Sequence, residues 1–90
     1  MIFVEKRNGS IEEFNKSKIV EAINKAFIDV DSLLYETDTA KDIAEEIEEY
    51  GKNLYNKNLS VEKIQDLVED YLMRSERRDV ARAYIRYRYK

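Results

Sequence analysis

Val4-Glu5-Lys6-Arg7-Asn8-Gly9-Ser10-Ile11-Glu12-Glu13-Phe14-Asn15, running on into Lys16-Ser17-Lys18-Ile19, decides how this chain folds. Asn8-Gly9 between two short alternating segments predicts a hairpin closed by a two-residue type I′ turn, because both central positions of that turn need positive φ. Lys6 and Arg7 then stand at the hairpin tip. Asn15 has the side chain of an N-cap, and Lys18 falls in the first turn of the helix that follows. Backbone N–H groups and three cations therefore converge on one place, a setting that suits an anion and above all a phosphate. The two-residue loop pairs Arg7 with Ser10, Lys6 with Ile11, Glu5 with Glu12 and Phe3 with Phe14. Glu5 and Glu12 then oppose each other as like charges, which is unfavourable unless a cation or ligand donor lies between them; Arg7 is the diagonal neighbour. On this register Glu12 is placed for something other than stability.

Beyond the hairpin the hydrophobic period is helical. Ile19, Ala22, Ile23, Ala26 and Phe27 recur on one face of a helix over residues 16 to 29. Asp29 to Tyr35 reads as a connection, and Thr37 or Thr39 can cap a second helix whose buried stripe is Ala40, Ile43, Ala44, Ile47, Leu54 and Tyr55. Gly51 falls late in that helix and weakens it. Leu59 can add a short strand beside the hairpin. Ser60 then caps a third helix with the apolar face Val61, Ile64, Leu67, Val68, Tyr71 and Leu72. A polar break from Arg74 to Asp79 starts a fourth, facing inward through Val80, Ala81, Tyr84, Ile85 and Tyr87. Arg74, Arg78, Arg82, Arg86 and Lys90 recur every four residues there, a spacing that spirals by about 40° per step on a helix of about 3.6 residues per turn.

Composition removes most alternatives. Ninety residues make one domain, expected to run from 1 to 90, and without Cys or His there is no thiolate nucleophile, imidazole base, disulfide or zinc site of ordinary ligands. No apolar run approaches a membrane span and no leader pattern follows Met1, so the expected setting is cytoplasmic. The net charge of −3 conceals an asymmetry: residues 36 to 70 carry eleven acids against four Lys, and residues 74 to 90 carry seven Lys or Arg against Glu76 and Asp79. That pattern favours a confined anion site over an extended nucleic-acid footprint.

Four blocks in order carry a resemblance: Val4-x-Lys6-Arg7-Asn8-Gly9; Phe14-Asn15 with Lys18-Ile19; Ser60-Val61-Glu62-x-Ile64-Gln65-Asp66-x-Val68-Glu69; and Val80-Ala81-Arg82-x-Tyr84-Ile85-x-Tyr87-Arg88. The chain resembles the ATP-cone domain from Phe3 to Lys90. That family occurs as the N-terminal overall-activity site of ribonucleotide reductases and beside a zinc ribbon in a bacterial repressor of reductase genes. The resemblance implies an α+β fold, a four-helix bundle capped by a small three-stranded sheet that includes the hairpin. It also implies a regulatory module that binds ATP or dATP and performs no chemistry. Its partners would be a reductase catalytic domain, with Tyr84-Ile85-Arg86-Tyr87-Arg88 leaning towards the anaerobic class, or another copy of the cone. By similarity, Lys6, Arg7, Lys18 and Lys90 meet the phosphates, and the segment from Glu12 through Phe14 and Asn15 to Lys18 holds adenine and ribose. Glu12 accepts from the adenine amino group, which guanine does not offer there. Val4 and Ile19 contact the base, Val61 and Gln65 approach the sugar, and Mg²⁺ arrives with the triphosphate, held by phosphate oxygens and water. Asn8 stands where the family more commonly has Asp.

Blander readings stand beside these. Lys6 and Arg7 are equally compatible with solvated charges, Glu12 with a surface pair to Arg7, and Val61 and Gln65 with ordinary helix residues. The tyrosines at 84, 87 and 89 fit core or boundary positions. A helical interaction domain that binds nucleic acid or protein through the basic last helix is the competing reading. An ATPase or kinase lacks a Gly-rich phosphate loop with its Lys-Ser/Thr.

Overall fold

The computed structural model describes residues 2–30, 37–75 and 77–88. Three short strands, β1 (Phe3–Glu5), β2 (Ile11–Glu13) and β3 (Asn58–Ser60), accompany four helices, α1 (Lys16–Val30), α2 (Thr37–Lys52), α3 (Val61–Arg74) and α4 (Arg78–Arg88). The class is the α+β one expected. The expected connection before α2 lies for the most part outside the described residues. Thr39 lies inside α2 and does not stand ahead of it as a cap, while the capping expected of Thr37 lies outside what is described.

The hairpin is real but its register differs by one residue from the expected one. Phe3 pairs with Glu13, Val4 with Glu12 and Glu5 with Ile11. The Lys6 amide donates to the Ser10 carbonyl at 2.8 Å and the Gly9 amide to the Lys6 carbonyl at 2.9 Å, which closes a three-residue loop. Only Gly9, at φ +86°, takes positive φ in this turn. Asn8 instead bends its side chain forward: its Oδ1 accepts from the Ser10 amide at 3.0 Å and the Ser10 hydroxyl at 2.7 Å. That local bond holds Asn8 on the ordinary side of φ and gives the turn-plus-bulge alternative to type I′. The correction matters because Glu12 now shares a sheet face with Val4, and the expected opposition to Glu5 is absent.

β1 is central, antiparallel to β2 and parallel to β3, with Val4 level with Leu59 and Glu5 with Ser60. Since β3 runs directly into α3, parallel pairing brings the hairpin tip to the start of α3. The Ser60 hydroxyl caps that helix, accepting from the Lys63 amide at 3.0 Å. At α1, Asn15 Oδ1 accepts from the Ser17 amide at 2.9 Å, as an N-cap should. The helices contact in a ring, α1 to α2, α2 to α3, α3 to α4 and α4 to α1.

Inside the ring lie Ile23, Ala26, Phe27, Ala40, Ala44, Ile47, Val68, Leu72, Val80 and Ala81, with Ile2 and Leu59 joining from the sheet side. Gly51 is buried where a Cβ would come within 3.0 Å of both Ile2 Cγ2 and Leu59 Cδ1, so its absent side chain is what lets α2 approach the sheet. Two expected core assignments change. α2 ends at Lys52, leaving Leu54 half-buried and Tyr55 fully exposed. On α4, Tyr87 is on the exposed side and Ala83 takes an inward place.

Candidate functional site

The three secondary-structure joints just described enclose a cleft of about 180 Å³. β1 and β2 supply Val4, Glu12 and Glu13; the cap of α1 supplies Phe14, Asn15, Lys18, Ile19 and Ala22; α3 supplies Val61, Ile64 and Gln65; and α4 supplies Tyr84. Val4, Ile19 and Tyr84 are buried, so the floor is apolar, whereas the rim is charged. An amphipathic ligand with a flat apolar part and an anionic part matches that division.

Glu12 organises the rim. Its two oxygens meet Lys6 Nζ at 3.3 Å and Lys18 Nζ at 3.4 Å. The Lys6 ammonium, followed by that of Lys18, holds the Glu12 carboxyl below the usual carboxylate range against a smaller opposing effect of burial. The surface pair expected with Arg7 is not the one found. Arg7 reaches across to α3, where its Nη2 donates to Gln65 Oε1 at 3.1 Å and its Nε lies 3.4 Å from Glu62 Oε1. Lys6 and Arg7 also border a smaller hollow of about 80 Å³ with Ser60, Val61 and Glu62, next to the cleft. Burial pushes the Tyr84 hydroxyl up to about 12.

Eight of the expected site residues, Val4, Glu12, Phe14, Asn15, Lys18, Ile19, Val61 and Gln65, thus line one cleft, and Lys6 and Arg7 edge it. Lys90 lies outside the described residues. A larger hollow of about 410 Å³ between α1 and α2 is bordered by Lys16, Glu21, Lys41 and Glu45. It contains none of the expected site residues, and its alternating charges select no particular ligand sign. Among the described residues no group of three or more Asp or Glu gathers as a metal cage.

The family model of the ATP cone domain matches residues 2–90. The chain belongs to the ATP cone family. ATP cones are regulatory modules that bind adenine nucleotides. This cone is 39% identical over 92 residues to a Chlamydia pneumoniae ribonucleoside-diphosphate reductase subunit alpha, a match covering 92% of this chain and 9% of that one. It is 41% identical over 93 residues to a vitamin B12-dependent ribonucleoside-diphosphate reductase of Thermoplasma acidophilum, covering 97% of this chain and 12% of that one. An anaerobic ribonucleoside-triphosphate reductase of Haemophilus influenzae is 35% identical, with 93% of this chain and 12% of the reductase aligned. The cone therefore spans about a tenth of the length of these relatives.

Ala22, Ile64 and Tyr84 escaped the sequence reading as lining residues. Ala22 follows Ile19, and Ile64 follows Val61, by three positions on the same helix face, so the spacing contained the signal. Arg88 was missed in another way: its side chain is only 8% exposed, with Nη1 at 2.7 Å from Asp66 and 2.8 Å from Glu69. Of the basic stripe, Arg74 lies 3.9 Å from Asp70 and Arg86 3.4 Å from Asp29, so part of its charge is spent within the fold. No described helix is long and apolar enough to cross a membrane.

Proposed function

We propose that the cleft binds ATP or dATP and that the whole chain acts as one cytoplasmic, non-catalytic regulatory domain. The reading rests chiefly on one observation: the hairpin register sets Glu12 on the cleft face beside apolar Val4, between Lys6 and Lys18. Adenine lies on the floor near Val4 and Ile19, its amino group donating to Glu12. The phosphates draw Lys6 and Lys18 away from Glu12 and meet Arg7, with Lys90 joining them. Asn15 and Phe14 border the base and ribose, and Val61 and Gln65 adjoin the sugar. Mg²⁺ is held by phosphate oxygens and water. The two nucleotides differ by one hydroxyl, so regulation requires that each favour a different packing of the cone against a reductase catalytic domain or a second cone.

Calorimetric titration of ATP, dATP and GTP with Mg²⁺ tests this reading. Guanine presents a carbonyl oxygen where adenine has its amino group, which leaves the Glu12 carboxylate unpaired and costs about 1–3 kcal/mol. GTP is therefore expected to bind at least about fivefold more weakly. Glu12→Ala erases most of that difference, and Lys6→Ala weakens both adenine nucleotides. Equal binding of GTP and ATP to the wild type, or binding of neither adenine nucleotide, overturns the reading.

A further inference from the structure

Arg7, at the hairpin tip, is already engaged by one carboxylate and one neutral acceptor of the protein. Arg7 faces Glu62 at 3.4 Å through Nε and Gln65 at 3.1 Å through Nη2, both on the first two turns of α3. Glu62 has no place in the cleft lining, but it borders the adjoining hollow together with Lys6 and Arg7. Lys18 lines the cleft itself, whereas Arg7 borders only the adjoining hollow, so a chain of phosphates that leaves the cleft past Lys18 meets Arg7 once it enters that hollow.

We propose that Glu62 is a specificity-determining residue that occupies Arg7 in place of a distal phosphate, so that ligands with phosphates long enough to reach Arg7 must displace it. This inference rests on the nucleotide reading of the cleft. Glu62 competes with the last phosphate for one guanidinium, and its charge repels that phosphate as well. A short ligand that stops at Lys6 and Lys18 leaves the Arg7–Glu62 pair intact. Glu62 therefore lowers affinity for a triphosphate selectively and narrows the preference of the site for long phosphate chains. Gln65 differs in kind: as a neutral acceptor it positions Arg7 without repelling phosphate.

Both side chains are largely exposed, 58% for Arg7 and 63% for Glu62, so the effect is that of a screened surface pair. Removing the competing charge is expected to tighten ATP binding by about two- to fivefold. The experiment titrates ATP, AMP and adenosine into wild-type, Glu62→Gln and Asp42→Asn chains, at low and high salt. Asp42 is an exposed residue of α2 and controls for net charge. The expected result is tighter ATP binding in Glu62→Gln alone, unchanged AMP and adenosine, and a gain that shrinks as salt rises. Unchanged or weaker ATP binding in Glu62→Gln, or an equal gain for adenosine, overturns the proposal while leaving the nucleotide site standing. Failure of the wild type to bind any of the three ligands overturns the nucleotide reading and this proposal with it.

Discussion

Arg88→Met is the sharpest probe of how the last helix is held. The guanidinium joins α4 to α3 through Asp66 at 2.7 Å and Glu69 at 2.8 Å, and its Nη2 lies 3.4 Å from the Glu62 carbonyl oxygen. The hydrogen bonds with Glu69, and then Asp66, hold the Arg88 pKa above its ordinary value despite burial, so the group is cationic throughout the accessible pH range. Methionine keeps much of the apolar stem and removes the charge. A hydrogen bond between charged groups contributes about 1.5–3 kcal/mol. The Asp66 carboxylate is 59% exposed and its share must be discounted for solvent screening, whereas Glu69 is 23% exposed and keeps most of its own. The expected loss is about 2–3 kcal/mol, including the repulsion left between two carboxylates three residues apart on α3. For a domain of this size that lowers the melting temperature by roughly 10–20 °C. Urea unfolding followed by helical circular dichroism measures it, with Glu69→Gln and the double variant completing a cycle. A loss below about 0.5 kcal/mol, or strict additivity in the cycle, would mean that Arg88 does not tie α4 to α3 through Glu69.

Three further outcomes follow from single residues. Tyr84 has a folded pKa raised from 10.0 to about 12, so it contributes stability below pH 10 that is lost as pH rises from 10 towards 12. Wild type should lose about 2–3 kcal/mol more than Tyr84→Phe across that window, read by urea unfolding at each pH; parallel curves would contradict the burial of the hydroxyl. Gly51→Val forces a branched side chain against Ile2 and Leu59 and should destabilise by about 2 kcal/mol or more in the same assay, although it improves helix propensity. The carbon-13 titration of the Glu12 carboxyl should have its midpoint below 4.5, move upward in Lys6→Ala, and move less in Lys18→Ala; no response to Lys6→Ala would deny the pair.

Most of the architecture was legible because local chemistry and tertiary packing agree. Asn15 and Ser60 cap the helices they were expected to cap, and Leu59 joins the sheet as β3. The hairpin register was not legible, because Asn8-Gly9 suits two turns and the choice depends on whether Asn8 spends its side chain on Ser10. That one-residue difference changed the neighbour of Glu12 from an anion to apolar Val4 and two lysines. Tyr55 and Tyr87 misled for a shared reason: a tyrosine in register with a helix stripe is compatible with either side of its boundary, and only the helix end or neighbouring helix decides. Gly51 read as a weakness, since the approach of Ile2 and Leu59 from distant parts of the chain leaves no local trace. Arg88 was hidden because it stands between basic neighbours outside the four-residue stripe, and only the approach of Asp66 and Glu69 from α3 distinguishes it from a solvated charge.

If the hairpin, the start of α1 and the start of α3 form one adenine-nucleotide site, as proposed, a bound nucleotide perturbs all three. Amide chemical shifts recorded while Mg-ATP is added to the isotopically labelled chain test it most directly. Saturable shifts are expected at Val4, Lys6, Arg7, Glu12, Lys18, Val61 and Gln65, with the outer face of α4 around Arg78 and Arg82 little changed. Shifts confined to α4, or no saturable change at the hairpin, would contradict it.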